Sequence, residues 1–162
     1  MSRIWKPSVT VAAVVERDGR FLLVQEHTDQ GLRINQPAGH LEPGETLQQA
    51  VAREALEETA HPFRATALLG VYLWRRPGPS DATTYLRFAF TGELAERVAD
   101  RPLDHGIVAT LWLSREELAQ RSAEWRNPLV ARCIDDYLSG QRYPLELLYA
   151  HPAAFAPVTG FA

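Results

Sequence analysis

A chain of 162 residues with 46% hydrophobic and 23% charged residues has the balance of an ordinary globular protein, so one domain spanning residues 1–162 is expected rather than a disordered or fibrous chain. Its formal net charge of -3 provides no global field for a polyanion, which argues against nucleic acid as the main partner. The lone cysteine, Cys133, excludes an internal disulfide and a cysteine-built zinc cage and points to a reducing compartment.

Met1 to Pro7 has no apolar core followed by a small-residue cleavage site, so no signal peptide is expected. Ser8 to Val15 is β-branched or small, Asp18-Gly19 follows, and Arg20 to Gln25 resumes an apolar run, which together predict a hairpin. Leu32 to Gly44 carries Pro37, Gly39, Pro43 and Gly44 and reads as a structured loop. Thr46 with Gln49 forms a capping box, and the spacing predicts a helix over Leu47 to Thr59, stopped at His61-Pro62.

Phe63 to Arg75 and Thr83 to Glu93 read as two long strands around a turn containing Pro77, Gly78, Pro79 and Ser80, and Val108 to Leu113 as a shorter one. The longest apolar stretch, Ala65 to Trp74, is too short to span a bilayer, so a cytoplasmic protein with no membrane partner is expected. Ser114 with Glu117 opens a short second helix through about Gln120. Asn127, Pro128 and Gly140 mark the cap, first position and end of a third helix that buries Leu129, Val130, Cys133, Ile134 and Tyr137. Mixed strands with one helix early and two late imply an α+β fold, an α/β/α sandwich with the sheet between helices.

The first helix concentrates acid. At about 100° per residue, Glu54 and Glu58 fall on one line with Leu47 and Val51, and Glu57 lies within about a right angle. With Ala52 and Leu56 apolar on the other side, the helix should pack on two sides. Three carboxylates in one turn repel and call for a cation. Arg53 offsets part of the charge, and a hard divalent ion, Mg²⁺ or Mn²⁺, suits the remainder. A solvated acidic face is the alternative.

Gly39, five residues, Glu45, seven residues and then Arg53-Glu54-Ala55-Leu56-Glu57-Glu58 resembles the signature box of the Nudix hydrolases, here spanning 39–61. The tail departs from that pattern, with Ala60 and His61 where glycine and an aliphatic residue are usual. Lys6 to Val11, Asn35 to Glu42, Leu86-Arg87-Phe88 and Ser139 to Glu146 are similar to the NudJ-type phosphatase branch of that family. The resemblance implies a Nudix sandwich and Mg²⁺-dependent hydrolysis of phosphoanhydride bonds in nucleoside triphosphates and diphosphates, with Mn²⁺ as a substitute ion. Thiamine pyrophosphate and its hydroxymethylpyrimidine diphosphate precursor are further substrates it implies. Other specificities within the family are ADP-ribose and dinucleoside polyphosphates, and a non-catalytic nucleotide-sensing domain is the alternative of another class.

By the same resemblance, Glu54, Glu57 and Glu58 bind the metal together with the backbone carbonyl of Ala38 or Gly39, while Arg53 and Glu45 orient those ligands. Glu54 is one candidate for the general base. Asp104 and His105 are others, since Gly106 stands where relatives carry an acidic residue, although His105 also reads as a plain loop histidine. Gln36, His40, Tyr85, Arg87 and Arg142 are candidate substrate contacts, with Tyr143 beside Arg142. Trp5, Tyr72 and Trp74 are candidates to stack on a heterocycle or to fill the core. The expected partner is a small phosphorylated molecule, and the expected state a monomer or homodimer.

Overall fold

The computed structural model describes residues 4–79 and 82–155, and Ser80 of the expected turn lies outside them. Strand β1 (Ser8–Ala13) lies in a mixed four-stranded sheet of order β5-β1-β7-β6, formed with β5 (Ala38–His40), β6 (Phe63–Arg75) and β7 (Thr84–Leu94). β1 and β7 run parallel, and the β1/β5 and β6/β7 pairs are antiparallel. A second sheet contains β2 (Glu16–Arg17), β3 (Arg20–Thr28) and β4 (Gly31–Asn35), with β8 (Ile107–Leu113) paired to β3.

The helices are α1 (Leu47–Thr59), α2 (Arg115–Gln120) and α3 (Leu129–Leu138). Successive residues of the mixed sheet feed two cores, as the strand period demands. Val11, Ala13 and Phe90 meet Ala50, Val51 and Ala55 of α1. Ala12, Leu69 and Ala89 join Leu118 of α2 and Val130, Cys133 and Ile134 of α3 on the other face. The mixed sheet is therefore sandwiched between α1 and α3, the architecture expected from the element order. Among the described residues no helix is long and apolar enough to cross a membrane.

Two expectations about the strands need correction. The Asp18-Gly19 turn closes a hairpin only between β2 and β3, whereas β1 belongs to the other sheet. Thr10 to Val15 is buried without interruption, and such a run marks a strand covered on both faces rather than an alternating hairpin arm. The expected loop at Leu32 to Gly44 contains most of β4 and all of β5. Pro37 falls in the gap between those strands, and its carbonyl accepts from Ala13 N at 2.9 Å.

Both capping boxes form, Thr46 with Gln49 on α1 and Ser114 with Glu117 on α2. α1 nevertheless buries one stripe rather than two sides: Ala50, Val51, Glu54, Ala55, Glu58 and Thr59 are buried, whereas Ala52 and Leu56 stay half-covered. The helix exits through Ala60 at φ 60°, the left-handed conformation that the missing glycine would have eased. Asn127 Oδ1 accepts from Leu129 N at 2.9 Å at the start of α3.

Candidate active site

The buried stripe of α1 carries carboxylates because it faces the backbone of β5 rather than solvent. Glu58 Oε2 accepts from Ala38 N at 2.9 Å. A Cβ built on Gly39 would overlap the Glu54 carboxyl, so only glycine lets the two approach this closely. Ala38 and Gly39 thus bring their peptide groups to the same acidic residues that the sequence spacing singled out.

Arg53 ties the cluster together. Its Nη1 donates to Glu54 Oε1 at 2.8 Å and to Glu57 Oε2 at 3.1 Å. Nη2 donates to Glu45 Oε1 at 2.8 Å and to the His40 carbonyl at 2.9 Å, and Nε reaches Glu45 Oε2 at 3.0 Å. The Glu45 hydrogen bond leads in raising the Arg53 pKa. Glu45 also accepts from Glu42 N. Burial pushes its carboxyl up, but Arg53 and the Glu42 N–H together pull it below the ordinary value.

The electrostatics leave room for a cation. Burial pushes the Glu58 carboxyl up to about 8, with Glu54, Glu26 and Asp104 adding repulsion against the pull of the Ala38 N–H. Burial also raises Glu54, against Arg53. Among the described residues no three His, Cys, Asp or Glu side chains already converge on one point. Instead, Glu54 and Glu57 share Arg53 Nη1. The side chains of Glu54, Glu57 and Glu58 offer only oxygen donors, a chemistry that fits a hard divalent ion.

Beside Ala38 and Gly39 opens a cavity of about 440 Å³. Trp74 and Tyr85, cross-strand partners on β6 and β7, stack at 5.9 Å between ring centroids and line one wall. His40 stands 6.4 Å from the Tyr85 ring. Thr10, Glu26, Asn35 and Arg87 also line the cavity, as does Arg126.

A family model for the NUDIX domain matches residues 5–133, which takes in the glycine loop, all of α1 and the cavity strands. The chain belongs to the Nudix hydrolase family. It is 45% identical to Phosphatase NudJ of Escherichia coli strain K12 over 145 residues, 90% of this chain and 92% of the relative. The same identity and coverage hold for Phosphatase NudJ of Shigella flexneri. The solved structure of a NUDIX hydrolase from Nitrosomonas europaea superposes with a TM-score of 0.86 at 50% identity, covering 90% of this chain and 98% of that one. A MutT NUDIX hydrolase from Burkholderia pseudomallei shares the fold at a TM-score of 0.67 and 19% identity, covering 82% and 98%. The fold is therefore the Nudix fold, and the chemistry is hydrolysis of phosphoanhydride bonds in small phosphorylated substrates with the help of a divalent metal ion.

In this Nudix hydrolase the expected substrate contacts divide into two groups. His40, Tyr85 and Arg87 line the cavity. Gln36 is buried, donates to Val130 O at 2.7 Å and accepts from Arg87 Nη1 at 3.2 Å, so it braces Arg87 from behind. Arg142 stacks over Tyr137 at 4.1 Å and donates to the carbonyls of Tyr137 and Gln141, away from the cavity lining. Tyr143 pairs with Leu68 on β6.

Among the aromatics, Trp5 is exposed and Tyr72 donates its hydroxyl to Asp136 at 2.8 Å, leaving Trp74 as the stacking candidate at the cavity. Asp104 N donates to Glu57 O at 2.8 Å, which holds its loop against α1, and His105 is exposed beside it. Glu26, Asn35 and Arg126 were not among the expected site residues. Their only sequence signal was Asn35 at the head of the Asn35 to Glu42 stretch, because β3, β4 and the segment before α3 meet only in the folded chain.

Proposed function

We propose that the chain acts as one Mg²⁺-dependent hydrolase domain, with Mn²⁺ as a substitute, on nucleoside triphosphates and diphosphates and on thiamine pyrophosphate or its hydroxymethylpyrimidine diphosphate precursor. The observation that carries this reading is the Glu54 carboxyl packed against Gly39 while Glu58 accepts from Ala38 N. It sets the two carboxyls against Ala38 and Gly39, which line a cavity of about 440 Å³, a volume within the range of small-ligand sites. The similarity to Phosphatase NudJ supports the same reading.

Glu54, Glu57 and Glu58 would hold the ion with the carbonyl of Ala38 or Gly39. A bound Mg²⁺ supplies charge neutralisation at phosphate oxygens and acidifies water. Arg53, fixed by Glu45 and the His40 carbonyl, keeps Glu54 and Glu57 from splaying apart and limits their mutual repulsion. Glu54 is the nearest of the proposed bases to the glycine loop, and Asp104 acts on it through charge. Trp74 and Tyr85 bind the organic end of the substrate by stacking.

The test is release of inorganic phosphate and pyrophosphate across nucleoside phosphates, thiamine pyrophosphate, ADP-ribose and a dinucleoside polyphosphate, with Mg²⁺ or EDTA. Turnover of the first two classes, abolished by EDTA and restored by Mg²⁺, is expected. Preference for ADP-ribose or the dinucleoside compound would replace the substrate reading. Tight nucleotide binding with no release would turn the domain into a sensor.

A further inference from the structure

The acidic helix handles phosphate and leaves the organic end of the substrate to the cavity, where two opposite charges are linked by one amide. Asn35 accepts from Arg87 Nη2 at 3.3 Å through Oδ1 and donates through Nδ2 to Glu26 Oε1 at 3.4 Å. Both bonds are long. Arg87 is only 5% exposed, and its other contacts are the neutral Gln36 Oε1 at 3.2 Å and the Cys133 thiol. Arg126 Nε stands 3.8 Å from Glu26 Oε1, beyond hydrogen-bond reach. A buried guanidinium and a half-buried carboxylate held this loosely retain unused hydrogen-bonding capacity toward the cavity they line.

The aromatic wall sets where a ring would lie. Tyr85 is two residues before Arg87 on β7, so both side chains leave the same face of the sheet. A flat heterocycle stacked on the Trp74–Tyr85 wall would share its cavity with Arg87 and Glu26. Arg87 only donates hydrogen bonds, and an ionised Glu26 only accepts them.

On the footing of the hydrolysis proposed above, we infer that this cavity selects substrates whose heterocycle carries an exocyclic amino group beside a ring nitrogen or carbonyl, the amino group donating to Glu26 and the acceptor receiving from Arg87. An oxo group at the amino position sets lone pairs against the Glu26 carboxylate and leaves both partners desolvated without a bond. Uracil carries an oxo group in place of the amino group and an N–H in place of the ring-nitrogen acceptor beside it, so it opposes both Glu26 and Arg87, and CTP and UTP form the matched pair.

The experiment measures equilibrium binding of nonhydrolysable analogues of CTP and UTP, with methylene bridges at both the α,β and β,γ positions, with Mg²⁺, to the wild type and to Glu26→Gln, alongside turnover of CTP and UTP. The wild type is expected to favour the cytidine analogue by at least about tenfold, the scale of one good edge contact. In Glu26→Gln the amide both donates and accepts, and the preference should shrink by at least roughly threefold through weaker cytidine and stronger uridine binding, while Arg87 still opposes the uracil N–H. Equal wild-type binding of the two analogues overturns the inference without recourse to any variant. So does a Glu26→Gln protein that loses kcat equally on CTP and UTP with its binding preference intact, the mark of a general base. A cytidine preference that persists without any CTP turnover would count against hydrolysis and leave the base selection standing.

Discussion

Arg53 bridges Glu45, Glu54 and Glu57 at once, and Glu58 lies outside its reach among those contacts. Among the described residues Glu58 accepts only the Ala38 N–H and is buried, which explains why its carboxyl is pushed up to about 8 from the ordinary 4.5. The folded chain therefore holds that proton more tightly than the unfolded one. The stability this provides is complete below about pH 4.5 and is lost as pH rises through about 8. In EDTA the wild type should lose stability, and with it melting temperature, relative to Glu58→Gln over that window, by an unfolding free energy on the order of a few kcal/mol at its upper end. A gap between the two melting curves that stays constant with pH would remove Glu58 from the buried, protonated role.

At the scale of elements, α1 ends through an alanine where the geometry favours glycine. Ala60 sits at φ 60° and is fully buried. Relieving the left-handed strain gains about 1 kcal/mol. Losing a buried methyl costs about 0.8 kcal/mol, and the freer unfolded glycine costs roughly 0.4–1 kcal/mol. These terms nearly cancel, so Ala60→Gly should lie within about 1 kcal/mol of wild type in urea denaturation. A larger gain would mean that strain dominates at this position.

The same helix shows which elements a sequence discloses. Thr46/Gln49 and Ser114/Glu117 are local signals, and both capped helices form where that spacing predicts. β5 carries no such signal: Ala38, Gly39 and His40 become a strand because β1 offers them partners across the sheet. β1 in turn reads as a hairpin arm only until its uninterrupted burial is known.

Across the whole molecule, the mixed sheet holds α1 on one face and α3 on the other, while the cavity collects residues from β1, β3, β4, β5, β6 and β7 and from the segment before α3. The acidic half of the site was readable because Gly39, Glu45 and Arg53 to Glu58 lie within twenty residues of chain. The cavity half was readable only in part: His40, Trp74, Tyr85 and Arg87 were expected there, whereas Glu26, Asn35 and Arg126 come from separate stretches of chain that meet only in the folded protein. Arg142 shows the converse: a branch-like segment suggested a site contact, yet the side chain finds Tyr137 instead.

The proposal that spans these scales is that the acidic stripe on α1 would grip a divalent ion next to bound phosphate. The most direct measurement is a Mn²⁺ titration, followed by its paramagnetic resonance signal, of protein saturated with a nonhydrolysable nucleotide, comparing wild type with Glu57→Gln. A saturable site in the wild type, weakened at least about tenfold in Glu57→Gln with an unchanged melting curve, is the expected result. Identical Mn²⁺ binding by the two proteins would contradict the account.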